Sequence, residues 1–298
     1  MTRHPTFGVS LALFGALALT PDTLLMRWSE MNGGQMVAWR GLLMGGTLTI
    51  LWFAFRRRDW RSDLRGLATA GGMLIVLCQF LNASLFSIGI AEAPVSVVLF
   101  SVSSVPVFAA LLSRLLLNEA THWSTWATIV AVLGGIGIAV FGEAPGVVTG
   151  SPLVGAAAGL GVAISLALNF VTLRRNPQVP ILLAVGCGAF LAGFAALSFV
   201  GVGPMLQGRV WAISVTGCLV LPASFFSLSL ASRYTQASNV SLLMLLETIL
   251  GPIWVWVGIG EKPTHAMLAG GLTVIGSLVL YLWYSGRRQR LARGQETT

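Results

Sequence analysis

The sequence predicts an all-α membrane protein whose ten transmembrane helices form two five-helix repeats of opposite orientation. Three observations lead to this class: the composition, a series of apolar runs and an internal repeat. Of the 298 residues, 55% are hydrophobic and only 9% are charged, whereas soluble proteins carry about 25% charged residues. A surface with so little charge cannot face water on all sides, so lipid must surround most of it.

Each predicted helix is an apolar run long enough to cross the hydrocarbon core, which takes about 20 residues. The breaks between runs are short and contain Gly, Pro or Asn, residues that end helices and turn the chain. The first run follows Arg3 like a signal peptide, but it continues past Ala18 to Trp28, and the repeat requires it as a retained span. The ten predicted spans are 7–28, 35–55, 66–90, 94–117, 122–141, 152–173, 180–200, 209–232, 237–258 and 265–285.

The internal repeat has an offset of 142 positions. It aligns residues 90–96 with 232–238, Glu119 with Glu261 and Gly134 with Gly276. The chain is therefore divided into a first repeat, 1–146, and a second repeat, 147–298, within one membrane domain. An apolar chain of two related halves is typical of a transporter whose site lies between the halves.

The distribution of Arg and Lys predicts the orientation. With a cytoplasmic N-terminus, fourteen of these residues fall on the inner side and three on the outer side, while Arg40 lies within the second span. Cytoplasmic loops carry such an excess of Arg and Lys, so both termini are predicted to lie on the cytoplasmic side of a bacterial cytoplasmic (inner) membrane. This bias also accounts for the net charge of +8 without nucleic acid as a partner.

Ionisable residues inside apolar spans are costly and usually face a cavity or a partner. Asp22 follows Pro21 in the first span and suits a substrate ammonium or a proton; the alternative is an interfacial residue paired with Arg27. Glu247, in the middle of the ninth span, is the stronger cavity candidate, with a hydrogen-bonded protonated carboxyl as the alternative. Arg40 is interpreted as a structural partner of an acid or of helix-end carbonyls.

Polar and aromatic side chains at helical spacing form a second set of candidates. Two groups stand out: one face of the third span, and a serine stripe after Pro222 in which Ser224 occupies the repeat position of Asn82. Each could line a substrate site or form hydrogen bonds between helices. The predicted substrate-binding residues, besides Asp22 and Glu247, are Gln79, Asn82, Phe86, Ser101, Asn169, Ser224, Phe225, Ser227 and Met244.

Other residues are assigned to structure or bending. Glu119 and Glu261 each lie in a turn before a helix, where a carboxylate stabilises the positive helix end, so they are predicted to fix turn geometry. Small residues at Gly41-x-x-x-Gly45 and Gly155-x-x-x-Gly159 are assigned to helix packing. The predicted hinges, where helices could bend, are Pro106, Pro222, Gly251 and Pro252.

Four short motifs carry a resemblance to a known family. They are Val37-Ala38-Trp39-Arg40, Pro106 in the fourth span, Asn118-Glu119 and Gly260-Glu261. With these motifs the chain resembles the EamA-like branch of the drug/metabolite transporter superfamily, and within it the YddG-type aromatic amino-acid exporters. The resemblance implies a central cavity lined by spans one, three, four, six, eight and nine. It also implies export of aromatic and other neutral amino acids.

The sequence departs from the pattern of that family at three places. Thr248 stands where a proline is usual, Asn118 stands where glycine is usual, and Thr20-Pro21-Asp22 replaces a Trp-Gly pair. These departures bear on the substrate more than on the fold. Because Asp22 and Glu247 would also suit a cation, efflux of drug-like organic cations is the alternative function.

No motif of an enzyme, a metal site or an ATP-binding segment is present, so we expect a transporter without catalytic residues, cofactor, metal or ATP-binding subunit. Its partners are then a small-molecule substrate and membrane lipid, and the sequence leaves its oligomeric state open. Cys78, Cys187 and Cys218 lie inside apolar runs without metal-ligand spacing and are interpreted as packed hydrophobic residues.

Overall fold

A computed structural model of the chain describes residues 5–55, 60–117, 123–141, 150–234, 237–277 and 279–280. Within these ranges the regular structure is helical and contains no β-strand. A 3-10 turn covers Gly203–Leu206, and a π-helical turn covers Thr216–Val220. The α-helices are α1 (Pro5–Leu19), α2 (Asp22–Ser29), α3 (Gly33–Phe55), α4 (Trp60–Leu67), α5 (Ala70–Glu92), α6 (Val95–Val102), α7 (Val105–Leu117), α8 (Trp123–Phe141), α9 (Pro152–Arg175), α10 (Ile181–Val200), α11 (Val210–Val215), α12 (Leu221–Ala231), α13 (Ala237–Ile259) and α14 (His265–Ser277).

Seven helical stretches of the described chain are long and apolar enough to cross a membrane. Three shorter apolar segments, Val130–Phe141, Leu243–Ile259 and His265–Ser277, lie where the fifth, ninth and tenth spans are predicted. The all-helical membrane class is therefore supported, and the ten-span layout stays a prediction. The seven longer stretches are Phe7–Ser29, Gly33–Phe55, Ala70–Glu92, Val95–Leu116, Pro152–Arg175, Ile181–Val200 and Val210–Ala231.

Three of these spans are irregular near a proline. The first is interrupted at Thr20-Pro21, where the proline lacks the N–H that would continue α1. The fourth is interrupted at Ser103-Ser104, two residues before Pro106, and the π-helical turn in the eighth ends two residues before Pro222. Such irregularities bend helices and expose backbone groups. In contrast, α13 continues through Pro252.

The two halves of the chain interlock. The most extensive helix contacts pair α3 with α10, α5 with α9 and α1 with α12, and each pair joins a helix of residues 1–146 to one of 147–298. The repeat makes α1 equivalent to α9, α3 to α10 and α5 to α12. Replacing each helix by its equivalent gives the same three contacts again. This pattern agrees with two related halves, whereas their opposite orientation in a bilayer stays a prediction.

Small residues let α3 and α10 approach closely. A Cβ atom added to Gly41 would lie 2.6 Å from the backbone nitrogen of Gly193, and one added to Gly45 would lie 2.6 Å from the Phe190 ring. The first Gly-x-x-x-Gly motif therefore packs against another helix of the same chain.

The connections between helices gather at two ends of the bundle. At one end, which we call the Arg27 end, the Arg209 amide donates to the Ser29 carbonyl over 2.7 Å, and the Ser151 amide donates to the Glu92 carbonyl over 2.8 Å. At the opposite end, the Arg233 side chain donates to the carbonyl of Val179. Alternating span directions require this grouping; which end faces the cytoplasm stays a prediction.

Candidate functional site

A cavity lies inside the bundle, enclosed by helices of both halves. Its walls come from α1, α2, α3, α5 and α6 of the first half and from α9, α12 and α13 of the second. The volume open to the centre of a water-sized molecule is about 30 Å³, whereas one bound water needs about 10–15 Å³ on this measure. In this conformation the cavity has room for water, and it must widen to admit a metabolite.

Asp22 and Arg40 form a buried ion pair at this cavity. Pro21 interrupts the first span, so Asp22 begins α2, while Arg40 lies two turns into α3. Arg40 Nη1 is 2.9 Å from Asp22 Oδ1 and 2.8 Å from Oδ2, and the side chains are 6% and 0% exposed. Two opposite charges in contact offset much of the cost of burial that either would carry alone.

The Arg40 guanidinium is held from a second side by an aromatic ring. Its central carbon lies 5.6 Å from the centre of the Phe86 ring, a distance at which the negative face of the ring attracts a cation. Phe86 also lines the cavity. The predicted structural residue Arg40 and the predicted site residues Asp22 and Phe86 therefore form one cluster.

Glu247 reaches the same cavity from α13. It is 3% exposed, and its Oε1 atom has no hydrogen-bond partner in the described part of the chain. The next residue, Thr248, is oriented differently, because its hydroxyl donates to the Leu99 carbonyl of α6 over 3.4 Å. Glu247 thus contributes a buried carboxyl group with spare acceptor capacity.

Gln79 and Asn82 contribute amide groups from α5. Both are buried and line the cavity, and their three-residue spacing places them on the face that carries Phe86. The Gln79 Nε2 atom lies 3.9 Å from the sulfur of Met44, while its Oε1 atom is buried without a described partner. A buried acceptor in this state favours any ligand that can donate to it.

Apolar side chains form the remaining wall. Phe225 of α12 and Met244 of α13, two of the predicted site residues, line the cavity. Sequence analysis did not identify Met44, Val162 or Leu166, which also line it. Met44 lies one helical turn after Arg40, and this spacing could have identified it, whereas no charged residue lies at helical spacing from Val162 or Leu166.

Four predicted site residues lie outside the cavity lining. The Ser101 hydroxyl donates to the Val97 carbonyl over 2.9 Å, and the Ser224 hydroxyl donates to the Val220 carbonyl over 2.7 Å, each within its own helix. Ser227 packs beside Gly15 of α1. Asn169 is buried in α9, with neither amide atom hydrogen-bonded within the described residues.

Of the two glutamates predicted to fix turn geometry, the structure describes Glu261. Glu261 accepts the Val95 amide over 3.2 Å and pairs with Arg27, so Arg27 is engaged by Glu261 and not by Asp22. Glu119 lies outside the described residues. Within the parts of the chain that the structure covers, no three His, Cys, Asp or Glu residues are grouped to hold a metal ion.

The hinge candidates lie next to the cavity helices. Pro106 follows the interruption between α6 and α7, and Pro222 lies at the start of α12. Gly251 and Pro252 lie one turn beyond Glu247 in α13, where Gly251 faces Leu99 and Thr23. Their role in motion stays a prediction.

Comparison with known proteins supports a transporter. Residues 6–141 match the model of the EamA-like transporter family. The uncharacterized transporter YdfC of Bacillus subtilis (strain 168) is 26% identical over 246 residues, which cover 79% of this chain and 78% of that protein. A solved crystal structure superposes with a TM-score of 0.63 at 17% identity, over 95% of this chain and 99% of that chain, which is a likeness of fold alone.

Together with the seven apolar helices, these similarities support a multi-pass membrane transporter of small substrates. The matched family consists of transporters rather than enzymes. The narrower resemblance to the YddG-type amino-acid exporters stays a prediction.

Proposed function

We propose that the chain exports amino acids with aromatic or other neutral side chains, or similar small metabolites, across the bacterial cytoplasmic membrane. One observation carries the proposal: helices of residues 1–146 and 147–298 together line a cavity whose walls include polar and charged side chains. A site between two related halves can be exposed to either side of a membrane when the halves move against each other.

The chemistry of the cavity suits amino acids with apolar side chains. Phe86 and Phe225 offer aromatic surface, while Met44 and Met244 offer flexible thioether chains that adapt to different shapes. Flexible, methionine-rich walls are typical of sites that accept several related ligands. The amide groups of α5 and the charged cluster supply partners for the polar end of a substrate.

The irregular helices provide places for the required movement. The interruptions before Pro106 and at Thr20-Pro21 leave short helical pieces on either side of the cavity. Rotation at these points, and at Gly251-Pro252, would widen the cavity toward one end of the bundle and close it toward the other. Export against a concentration gradient would then draw on an ion gradient, since the sequence carries no ATP-binding motif.

Transport by purified protein in liposomes tests this proposal. Labelled phenylalanine or tryptophan should enter the liposomes in a saturable way, and a pH gradient applied across the membrane should change the initial rate if protons are exchanged. Phe225→Ala should weaken the apparent affinity because it removes cavity surface. Phe199→Ala is the matched control, since Phe199 is 91% exposed. Uptake equal to that of protein-free liposomes would reject the proposal.

Efflux of organic cations is the second candidate. The observation that favours it is the unpaired Glu247 carboxyl oxygen in the cavity. Labelled tetraphenylphosphonium would then be transported by the same liposomes, and amino acids would neither be transported nor compete with it.

A further inference from the structure

The ionisable groups that line the cavity are two acids and one base. Asp22 and Glu247 are acids and Arg40 is a base, and all three line the cavity. Arg40 contacts both carboxylate oxygens of Asp22 through Nη1. This contact matches one positive charge with one negative charge, so Asp22 is engaged by Arg40 and Glu247 is the acid left to bind a ligand.

Apart from Asp22 Oδ2, which Arg40 Nη1 contacts over 2.8 Å, two buried side-chain oxygens of the cavity lining have no hydrogen-bond donor among the described residues. They are Glu247 Oε1 on α13 and Gln79 Oε1 on α5, and both side chains are at least 97% buried. Each oxygen therefore favours a hydrogen-bond donor, either a water that the cavity has room for or a ligand that takes its place. A ligand that serves both oxygens needs more than one hydrogen to donate.

The cavity walls indicate the chemistry of the rest of the ligand, beyond its hydrogen-bond donor. The lining of the cavity includes Met44, Phe86, Phe225 and Met244, which supply apolar and aromatic surface. A carboxylate, in contrast, would have to compete with Asp22 for Arg40. The complement of this cavity is thus a positively charged amino group on an apolar body, with or without a carboxylate.

We propose that Glu247 and Gln79 form an ammonium site, and that substrates are recognised by a protonated primary amino group and not by a carboxylate. This inference rests on the proposed transport through the cavity and specifies its substrate class. Asp22 then acts as a positioning residue that holds Arg40, and the charge of Glu247 supplies the attraction. A primary ammonium has three N–H donors, which is enough in number for both oxygens.

Equilibrium binding to the purified full-length protein in nanodiscs tests the proposal with four ligands. Phenethylamine carries the ammonium alone, phenylalanine carries both groups, and 3-phenylpropionate carries the carboxylate alone. Trimethyl-phenethylammonium keeps the positive charge but has no N–H donor. Phenethylamine should bind at least as tightly as phenylalanine. The other two should bind at least about tenfold more weakly, because a hydrogen bond to a charged group contributes about 1.5–3 kcal/mol.

Variants assign the site within the cavity. Glu247→Gln should weaken phenethylamine binding by about tenfold or more, and Gln79→Met, of similar shape, should weaken it about fivefold or more. Glu30→Gln is the matched control, since Glu30 is exposed in an ion pair with Arg209, and its binding should equal that of the unmodified protein. Gel filtration identifies any variant that has lost its fold, and the two cavity variants provide independent tests.

Several outcomes would overturn the proposal. Equal binding of 3-phenylpropionate or of the trimethyl compound would show that the amino group is not what is recognised. Unchanged phenethylamine binding in both cavity variants, or no binding of phenethylamine to the unmodified protein, would reject the site. Because this assay requires no transport, the amino-acid transport measured in liposomes can stand when the ammonium site fails, and the reverse.

Discussion

Arg27 and Glu261 are 234 positions apart in the chain and form an ion pair, with Arg27 Nε 3.2 Å from Glu261 Oε2. Arg27 also donates to the Ala93 carbonyl over 2.8 Å, and Glu261 accepts the Val95 amide over 3.2 Å. Two side chains thus connect the end of α2, the α5–α6 connection and the turn after α13. We call this group of contacts the Arg27–Glu261 clasp.

Removal of the clasp should destabilise the Arg27 end of the bundle. Glu261→Ala leaves the Val95 amide without its acceptor and Arg27 without its counter-charge, which should cost about 1–2 kcal/mol because the pair is partly exposed. Thermal unfolding in detergent should show a lower melting temperature. Glu30→Ala, which removes an exposed pair, is the control, and an equal melting temperature for both variants would contradict a role for the clasp.

The buried Asp22–Arg40 pair should be much more sensitive to loss of one partner. Arg40→Met leaves the fully buried Asp22 without its counter-charge, which should cost about 3–5 kcal/mol. The double variant Asp22→Asn with Arg40→Met should recover part of this loss, because no isolated charge remains. Thermal unfolding of Arg40→Met, of Asp22→Asn and of the double variant measures the coupling between the two residues. If the double variant is as unstable as the sum of the single ones, the two residues are not coupled.

Glycines of α3 allow a comparison along one helix. Gly41→Val should destabilise the protein strongly, because its Cβ would lie 2.6 Å from backbone atoms of Ala189 and Gly193, which cannot move without separating α3 from α10. Gly46→Val should have little effect, because its nearest neighbour would be 3.8 Å away. The yield of monodisperse protein and its melting temperature report the outcome. Similar values for both variants would contradict the observed helix contact.

Gly251 should be required for transport at full rate. Its Cβ would lie 2.5 Å from Leu99 Cδ1, so Gly251→Leu should reduce the initial rate of uptake by liposomes several-fold by blocking the approach of α13 to α6. Adding Leu99→Val to Gly251→Ala should restore part of the rate lost by Gly251→Ala, because it removes the clashing methyl group. Gly276→Leu, at a position with open space, is the control. Normal flux through well-expressed Gly251→Leu would exclude this hinge.

The orientation of the protein can be measured with cysteine labelling. Ser62→Cys in α4 and Gln207→Cys near the Arg27 end introduce exposed thiols at opposite ends of the bundle, in a background where the three native cysteines are replaced by serine. With cytoplasmic termini, an impermeant maleimide should label position 207 in intact cells, and position 62 only after permeabilisation. The opposite result would invert the predicted topology.

Which residues of α12 line the cavity could be predicted only in part from the sequence. The repeat places Ser224 opposite Asn82, yet Asn82 and Phe225 line the cavity while Ser224 bonds within its own helix. Leu221 and Phe225, which occupy the repeat positions of Gln79 and Ala83, do line the cavity, as those two residues of α5 do. The register of the repeat is therefore kept, and the packing of α12 against α1 decides which of its positions reach the cavity.

The face of α5, in contrast, could be predicted. Gln79, Asn82 and Phe86 follow helical spacing in an uninterrupted helix, and all three line the cavity. Their common direction depends only on local geometry, which the sequence specifies. The apolar lining residue Val162 could not be predicted, because its chemistry is the same as that of residues facing lipid and no charged residue lies at helical spacing from it.

By itself, the sequence determined that this is a helical membrane protein, where its apolar runs lie, where prolines interrupt them and which runs carry polar groups. These properties follow from composition and from spacing along one helix. Only the tertiary structure decided that Asp22 contacts Arg40, that Arg27 contacts Glu261, and that one oxygen each of Gln79 and Glu247 has no hydrogen-bond partner among the described residues. Such contacts join residues far apart in the chain, and they depend on how every helix is rotated against its neighbours.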